Sequence, residues 1–305
     1  MVKVGILNAE SPLAGEIVRI LINHPEVEIT ALHSPANLGR NLTSIHHGLI
    51  GESPLFFTDK LNLEDLDFII LPEKSDIGNA VVSKAPENDQ LRIVALYHQK
   101  EDLPDNFELG LSEINRKALV RGAKYSYALS PIAAPILIAL VPLAQFLLLN
   151  SDIDIVISLP TDLYKNLDLT EEAKILREQI QKYQNSFNGK IELHAVENPH
   201  SHREASTRIT FKNSLPLEEI DNIYDQIYDD HNFTFCSHSE VLPNEVVGSQ
   251  KTIIRSGKPD SETLILETVS DARMRGGAGD AVHIMNLLFG LHEKTGLNLK
   301  VARFL

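Results

Sequence analysis

Cysteine is nearly absent from this chain of 305 residues, which contains only Cys236. A single cysteine excludes an internal disulfide and any zinc site built from several cysteines. A lone thiol fits a reducing compartment, so we expect a cytoplasmic protein. The sequence enters a strand pattern directly at Met1–Gly5, and no signal peptide is expected.

Positive charge is also scarce, because 28 lysines and arginines face 42 aspartates and glutamates, for a formal net charge of -14. Nucleic-acid binding needs clustered basic residues that neutralise phosphates, and the sequence has no such cluster. We therefore expect no nucleic-acid partner.

One long apolar run, Pro131–Leu149, approaches the length of a membrane span. Pro131, Pro135, Pro142 and Gln145 interrupt it, and no lysine or arginine flanks its C-terminal end. The run therefore predicts a buried helix in a protein that has no membrane partner.

The first part of the chain has the order strand, loop, helix, strand. Lys3–Leu7 and Val27–Leu32 are strand patterns, and apolar residues recur at helical spacing between them, from Ile17 to Leu21. This order is typical of a dinucleotide-binding βαβ unit. Further buried strands are predicted at Asp67–Leu71, Arg92–Tyr97 and Ala123–Tyr127.

The loop after the first strand holds the candidate cofactor-binding residues Gly5, Asn8, Ser11 and Gly15. Asn8 and Ser11 stand where two glycines of a phosphate-binding loop would be. Asparagine tolerates an unusual φ, so the turn can form, but close approach of a phosphate is less secure. Two interpretations stay open: a dinucleotide site, or a structural Rossmann domain with an altered pocket.

The second strand ends without an aspartate or glutamate that would bind a ribose 2′-hydroxyl. Ser34, Asn37 and Arg40 follow it. If a dinucleotide binds, these residues favour NADP, with Arg40 as the partner of the 2′-phosphate. The alternative for Arg40 is a solvated charge on a loop.

Beyond Leu149 the pattern changes to that of an α+β domain. Leu169–Phe187 is an amphipathic helix, which Asp168 can cap and Asn188–Gly189 can end. The other predicted elements are strands at Ile153–Leu159, Ile191–Val196, Ser206–Lys212, Phe233–Ser237 and Leu264–Val269, and helices at Leu217–Tyr228 and Gly276–Leu291.

Four stretches carry a resemblance to a known family. They are Val4–Ile6 with Ile20–Ile29, then Gly110–Arg116, then His200–His202 with Glu204, and finally Asp271, Arg275–Val282, Met285–Leu291 and Thr295–Leu297. Together they resemble N-acetyl-γ-glutamyl-phosphate reductase, within the semialdehyde dehydrogenase superfamily that includes aspartate-semialdehyde dehydrogenase. The resemblance keeps its order along nearly the whole chain.

The resemblance implies an α/β Rossmann domain at 1–129 and 275–305, with a returning C-terminal helix. It implies an α+β dimerisation and substrate domain at 130–274, and a homodimer or homotetramer. NADP is the expected cofactor, with NAD or no cofactor as alternatives, and Gly277 is a further candidate cofactor residue. A small anionic metabolite is the expected ligand. In the family, a cysteine thiolate attacks an acyl phosphate, phosphate leaves, hydride reduces the thioester, and a histidine acts as acid and base.

The position of the family's nucleophile is altered. Alignment with the motif Asn-Pro-Gly-Cys-Tyr-Pro-Thr places Ala128 at the asparagine and Pro131 at the cysteine. Ser130 is a candidate substitute nucleophile, but Ser-Pro is also what a helix start requires, and we predict that Ser130 caps the following helix. Cys236 lies far along the chain in a strand pattern and is predicted to be a buried, inert thiol.

The remaining candidate catalytic residues are His200 and His202, which keep the histidines of the family's His-Arg-His-x-Pro-Glu motif. Their spacing matches no zinc pattern, so no metal is expected. Ala95–Lys100 departs from the family's Ser-Ala-Asp-Phe-Arg. Arg203 and Arg208 are interpreted either as partners of an anionic group or as ion-paired residues.

Three functions stay open from the sequence. The first is a family member whose reductase chemistry is lost or altered. The second is an active NADP-dependent oxidoreductase that works without a thioester. The third is a non-enzymatic, dimerising regulator or partner of an active paralogue.

Overall fold

Two β-sheets, one in each of two structural units, organise the chain in the computed structural model. The structure describes residues 1–85, 88–96, 100 and 103–301. The first unit comprises Met1–Ser130 and Gly276–Asn298. The second comprises Pro131–Arg275 and a short piece that begins at Leu299.

The first unit contains a sheet of seven parallel strands. These are β1 (Val2–Ile6), β2 (Val27–His33), β3 (Phe57–Thr58), β4 (Phe68–Leu71), β5 (Arg92–Ala95), β6 (Phe107–Leu109) and β7 (Tyr125–Tyr127). Their order is β3-β2-β1-β4-β5-β7-β6, and every neighbouring pair is parallel. The order reverses at β1, which makes the carboxyl ends of β1 and β4 a topological switch point. The predicted Rossmann-type sheet is confirmed.

The helices of the chain are α1 (Pro12–Leu21), α2 (Asp76–Lys84), α3 (Ser112–Val120), α4 (Ala133–Gln145), α5 (Thr161–Lys165), α6 (Leu169–Tyr183), α7 (Leu217–Tyr228) and α8 (Ala278–Leu288). Helix α1 begins where its sequence predicts, because Ser11 Oγ accepts a hydrogen bond from Ala14 N at 3.2 Å and Pro12 fits the first turn. Asp168 caps α6 as predicted, since its Oδ1 accepts from Thr170 N and Glu171 N at 3.0 and 3.1 Å.

Every residue of α8 is buried, and a polar network fixes it within the first unit. His24 Nε2 donates to Asn286 Oδ1 at 3.0 Å. Asn286 Nδ2 donates to the carbonyl oxygens of Glu293 and Thr295 at 3.1 and 2.9 Å. Burial is the largest influence on the imidazole and lowers the pKa of His24, so His24 is held in its neutral form.

The same network continues through the carboxylate of Glu293. Its Oε1 accepts from Arg116 Nε at 2.7 Å, and its Oε2 lies 2.9 Å from His283 Nε2. Gly110 allows the close approach of α8, because a Cβ there would lie 2.3 Å from Ile284 Cδ1. Residues of three stretches that carry the family resemblance therefore meet in one packed assembly.

The second unit contains a mixed sheet of six strands. These are β8 (Ile153–Pro160), β9 (Ile191–Asn198), β10 (Glu204–Lys212), β11 (Thr234–Cys236), β12 (Thr252–Gly257) and β13 (Thr263–Asp271), in the order β11-β12-β13-β10-β8-β9. The pairs β8–β9 and β11–β12 are parallel, and the others are antiparallel. Helices α4, α6 and α7 pack against it. The predicted α+β architecture is confirmed.

Helix α4 confirms that the apolar run forms a buried helix, since all residues from Ala133 to Ala144 are buried. Pro142 lies inside it and cannot donate a hydrogen bond to the carbonyl of Ile138. The hydroxyl of Tyr228 on α7 donates to that carbonyl, which satisfies it. Within the described residues, no helix has the length and apolar character needed to cross a membrane.

Several details of the sequence prediction require correction. Ser130 is not the N-cap residue of α4: Pro131 and Ile132 form a turn, and the helix begins at Ala133 with Ile132 as its N-cap residue. The strands β3, β6 and β12 were not predicted. The last residue of the strand predicted at Arg92–Tyr97 lies outside the described residues. Residues 97–99 of Ala95–Lys100, the segment that departs from the family's motif, lie outside them as well.

Candidate functional site

The loop after β1 lies at the switch point and is held from both sides. Leu7 N donates to Ile70 O at 3.1 Å on the β4 side, and Ala9 N donates to His33 O at 3.0 Å on the β2 side. Between them Asn8 adopts a φ of 46°, in the left-handed region that favours glycine. The loop therefore makes the sharp turn that a phosphate-binding loop requires, with asparagine in place of glycine.

Two of the candidate glycines are explained by packing. Gly5 lies within β1, and a Cβ there would come within 2.7 Å of Leu66 Cδ1. Gly15 lies in α1, and a Cβ there would lie 2.5 Å from Nδ1 of His46. His46 Nε2 in turn donates to the carbonyl of Ala9 at 2.7 Å. Gly15 thus lets a histidine brace the loop, a role that the sequence did not indicate.

Ser34, Asn37 and Arg40 form a hydrogen-bonded chain beyond the carboxyl end of β2. Asn37 Nδ2 donates to Ser34 Oγ at 2.9 Å, and Arg40 Nη1 donates to Asn37 Oδ1 at 2.8 Å. Ser34 is fully buried, whereas Arg40 is exposed. The arrangement holds a guanidinium at the place where a dinucleotide-binding fold contacts the adenosine ribose.

Two carboxylates lie at the same edge of the sheet, and sequence reasoning missed both. Glu10 belongs to the loop after β1, and its Oε2 is buried without a hydrogen-bond partner in the part of the chain that the structure describes. Glu73 follows β4, and its Oε1 accepts from Asn8 Nδ2 at 2.7 Å. An acidic residue inside a predicted phosphate loop was visible at Glu10, but the contact of Glu73 needs the sheet order.

Gly277 is placed as the N-cap residue of α8, after Gly276 with a φ of 70°. Gly276 N donates to Oδ2 of Asp280 at 2.6 Å. The buried carboxylate of Asp280 thereby interacts with the positive end of the helix dipole. This helix start already binds an anionic group of the chain itself.

The region of the expected nucleophile offers a hydroxyl and no thiol. Ser130 is buried, with 4% of its surface exposed, and Pro131 follows it. Cys236 lies in β11 of the second unit, where burial and then the carboxylates of Asp225 and Asp221 raise the pKa of its thiol to about 12. Cys236 is therefore a protonated thiol at neutral pH and a poor nucleophile.

His200 and His202 are both exposed and flank the buried Ser201. Ser201 Oγ accepts from the backbone N–H groups of Arg203 and Glu204 at 3.2 and 2.8 Å, which fixes the turn between β9 and β10. The serine orders the segment, and the two imidazoles project from it.

The neighbouring arginines are ion-paired. Arg203 Nε lies 2.8 Å from Oδ2 of the fully buried Asp271. Arg208 pairs with Glu267, which also binds Arg255. The structure therefore supports the interpretation of Arg203 and Arg208 as ion-paired residues.

Within the described ranges, one set of three metal-ligating side chains is close enough to share an ion. It consists of Asp154, Glu192 and His194, all exposed on β8 and β9, with His194 Nε2 3.0 Å from Asp154 Oδ1. Neither His200 nor His202 belongs to it.

Known proteins resemble this chain over its whole length. It is 32% identical over 330 aligned positions to the N-acetyl-gamma-glutamyl-phosphate reductase of Parabacteroides distasonis, and the alignment spans all of both chains. The chain belongs to the N-acetyl-gamma-glutamyl-phosphate reductase family. A reductase of the same name from Bacteroides fragilis is 31% identical over 326 positions, again across all of both chains. No protein-family profile matches the chain.

Solved structures share the fold of this N-acetyl-gamma-glutamyl-phosphate reductase family member. A probable aspartate-semialdehyde dehydrogenase from Pseudomonas aeruginosa superposes with a TM-score of 0.70 at 14% identity, covering 94% of this chain and 98% of the other. An aspartate semialdehyde dehydrogenase with NADP from Candida albicans gives a TM-score of 0.66 at 14% identity, covering 95% and 98%. At such identity the likeness identifies the two-unit fold.

Proposed function

We propose that the protein is a dinucleotide-binding member of the N-acetyl-gamma-glutamyl-phosphate reductase family in which the covalent thioester step is lost. The observation that carries the proposal is the absence of an activated thiol. Proline stands at the aligned position of the family's cysteine, and the one cysteine of the chain has a pKa raised to about 12. A thiol that stays protonated cannot supply the thiolate that this chemistry needs.

NADP is the cofactor that the residues of the first unit support. Arg40, positioned through Asn37, offers a guanidinium to a 2′-phosphate. The N-terminus of α1 presents backbone N–H groups beside the loop after β1. Oε2 of Glu10 has no hydrogen-bond partner among the described residues, and the hydroxyl and amide donors of a dinucleotide can supply one. The Candida albicans dehydrogenase with NADP supports the same choice.

Cofactor binding is tested by calorimetric titration of the full chain with NADPH and NADH. We expect NADPH to bind more tightly, and Arg40→Ala to weaken NADPH by about ten-fold because an exposed, charge-assisted contact is lost. NADH affinity should not change in that variant. Arg121→Ala, which removes an exposed arginine at the end of α3, is the matched control. Absence of binding to either nucleotide would favour the non-enzymatic regulator.

The loss of chemistry is tested with N-acetylglutamyl phosphate and NADPH. We expect no turnover on the scale of ordinary enzymes, about 1 per second or more. Turnover at that rate would contradict the proposal and favour an active oxidoreductase. If it also disappeared in Ser130→Ala, the hydroxyl of Ser130 would be the nucleophile; if it persisted there, a route without a covalent step would remain.

We also propose that the protein is a cytoplasmic homodimer. One face of the six-stranded sheet packs against helices, and the opposite face exposes Val156, Val196 and Phe235 to 37%, 51% and 40%. Strand pairing places these three side chains on the same face. The same face carries the ion-paired Arg208, Glu267 and Arg255, and the apolar side chains exposed beside them favour association with a second copy. Light scattering should give twice the chain mass of 33.9 kDa, and a mass equal to one chain would contradict the dimer.

A further inference from the structure

The crevice at the carboxyl edge of the seven-stranded sheet contains a carboxylate whose position is fixed by a hydrogen bond. Glu73 lies in the loop after β4, and Asn8 lies in the loop after β1. Their bond, 2.7 Å from Asn8 Nδ2 to Glu73 Oε1, joins the two loops across the switch point. Glu73 is exposed, and this bond holds its carboxylate beside the loop after β1.

The bond also supports the turn of the loop after β1. Asn8 has a φ of 46°, a conformation that side-chain-bearing residues adopt at a cost and glycine adopts freely. The hydrogen bond to an acceptor on the neighbouring loop fixes the side chain of Asn8 and so supports its backbone conformation. Any acceptor of the same length would serve, so the negative charge of Glu73 is not needed for the turn.

That charge has a consequence for an anionic ligand. In sheets of this topology a dinucleotide lies outside the carboxyl ends of the strands, with its pyrophosphate beside the helix that follows β1. Glu73 contacts Asn8 of the loop that forms this place, and Glu10 lies within the same loop. Like charges a few ångströms apart repel, most strongly near a low-dielectric surface.

We propose that Glu73 determines the affinity of the dinucleotide site by its charge, weakening the binding of the pyrophosphate. This inference rests on the proposed binding of a dinucleotide. It applies equally to NADPH and NADH, because both carry a pyrophosphate. Arg40, by contrast, acts on the 2′-phosphate and therefore on NADPH alone.

The test is calorimetric titration of Glu73→Gln with both nucleotides. The amide oxygen of glutamine still accepts the bond from Asn8, while the charge is removed. We expect the Kd of NADPH and of NADH to fall by about three- to ten-fold at low salt. The gain over the wild-type chain should disappear at about 1 M salt, where the screening length is about 3 Å. A purely structural role would not produce this salt dependence.

Two further variants separate charge from structure. Glu28→Gln removes an exposed carboxylate near the amino end of β2, at the opposite edge of the sheet, and should leave both Kd values unchanged. Glu73→Ala removes the charge and the bond together, and should gain less affinity than Glu73→Gln.

The outcomes distinguish this inference from the proposed function. If the Kd of Glu73→Gln is equal to or higher than that of the wild-type chain, the inference is overturned and dinucleotide binding stays in place. Binding by Glu73→Gln where the wild-type chain binds neither nucleotide would support it strongly. Failure of both proteins to bind millimolar NADPH or NADH would overturn the inference together with the proposed function.

Discussion

The surroundings of α8 and the segment that leads into α4 differ in how they match the family resemblance. Around α8, residues from three stretches of the family resemblance join in one network, in which His24 and Asn286 hold each other. Before α4, where the resemblance places the family's nucleophile at Pro131, Pro131 and Ile132 form a turn and the helix begins at Ala133. The network around α8 thus fixes the fold, whereas the proposed loss of the thioester step concerns the segment before α4.

The difference shows what the resemblance carries. The side chain of Asn286 satisfies two backbone carbonyls as well as His24, so its identity is dictated by burial and hydrogen bonding. The turn at Ser130 and Pro131 needs only to start a buried helix, which many residues can do. Signature residues such as Asn286, which are fixed by burial and hydrogen bonding, predict the fold. Only signature residues at the nucleophile position predict the reaction.

The largest effect that would sharpen this comparison is expected from Asn286→Ala. The substitution leaves the carbonyls of Glu293 and Thr295 and the ring of His24 without their partner in a buried site. We expect the free energy of unfolding of the first unit to fall by about 3 kcal/mol. Because the chain has no tryptophan, urea unfolding is followed by tyrosine fluorescence and circular dichroism.

Asn166→Ala is the matched control for that experiment. Asn166 is exposed, and its Nδ2 donates to one carbonyl, that of Asp162, at 2.9 Å. Its loss should cost less than about 1 kcal/mol. Equal shifts in the two variants would show that the network around α8 does not carry the stability assigned to it.

A smaller effect is expected at Cys236, whose protonated thiol supports the proposed loss of the thioester step. Burial and the carboxylates of Asp225 and Asp221 raise the pKa of the thiol to about 12, so alkylation by iodoacetamide at pH 8.5 should be slow in the folded chain. Asp225→Asn removes one of these charges and should speed alkylation by about three- to ten-fold. Asp229→Asn, at the C-cap residue of α7, is the control, and the same acceleration there would contradict the assignment.

Much of the fold follows from local pattern, and the differences have local causes. Helix α7 begins and ends as predicted at Leu217 and Tyr228, because a change of periodicity marks both ends. Strand β6 has only three residues, Phe107–Leu109, too few for alternation to be recognised. Ser130 precedes a proline as a capping residue does, but α4 begins at Ala133 with Ile132 as its N-cap residue.

The candidate site was less predictable, because its contacts join distant parts of the chain. The residues Ser34, Asn37 and Arg40 are close in sequence, and hydrogen bonds join them in one chain, while their role in cofactor binding stays a prediction. The bond between Asn8 and Glu73 spans 65 positions and depends on β1 and β4 being neighbours. Strand order of this kind is not encoded in any single stretch of sequence.

The smallest effect tests the polar network through pH. Burial lowers the pKa of His24 in the folded chain below the value of about 6.5 expected in the unfolded chain. Between these two values the unfolded chain binds more protons, so the free energy of unfolding falls as the pH drops below about 6.5. We therefore expect the free energy of unfolding to be lower at pH 5.5 than at pH 7.5. The control is His24→Gln, whose side chain can still donate to Asn286 Oδ1 but does not titrate. The difference in the free energy of unfolding between the two proteins should be constant above pH 7.5. Below pH 6.5 it should shift in favour of the variant. Parallel stability curves down to pH 5.5 would mean that His24 can be protonated in place, and that the network around α8 is less tightly closed than its hydrogen bonds indicate.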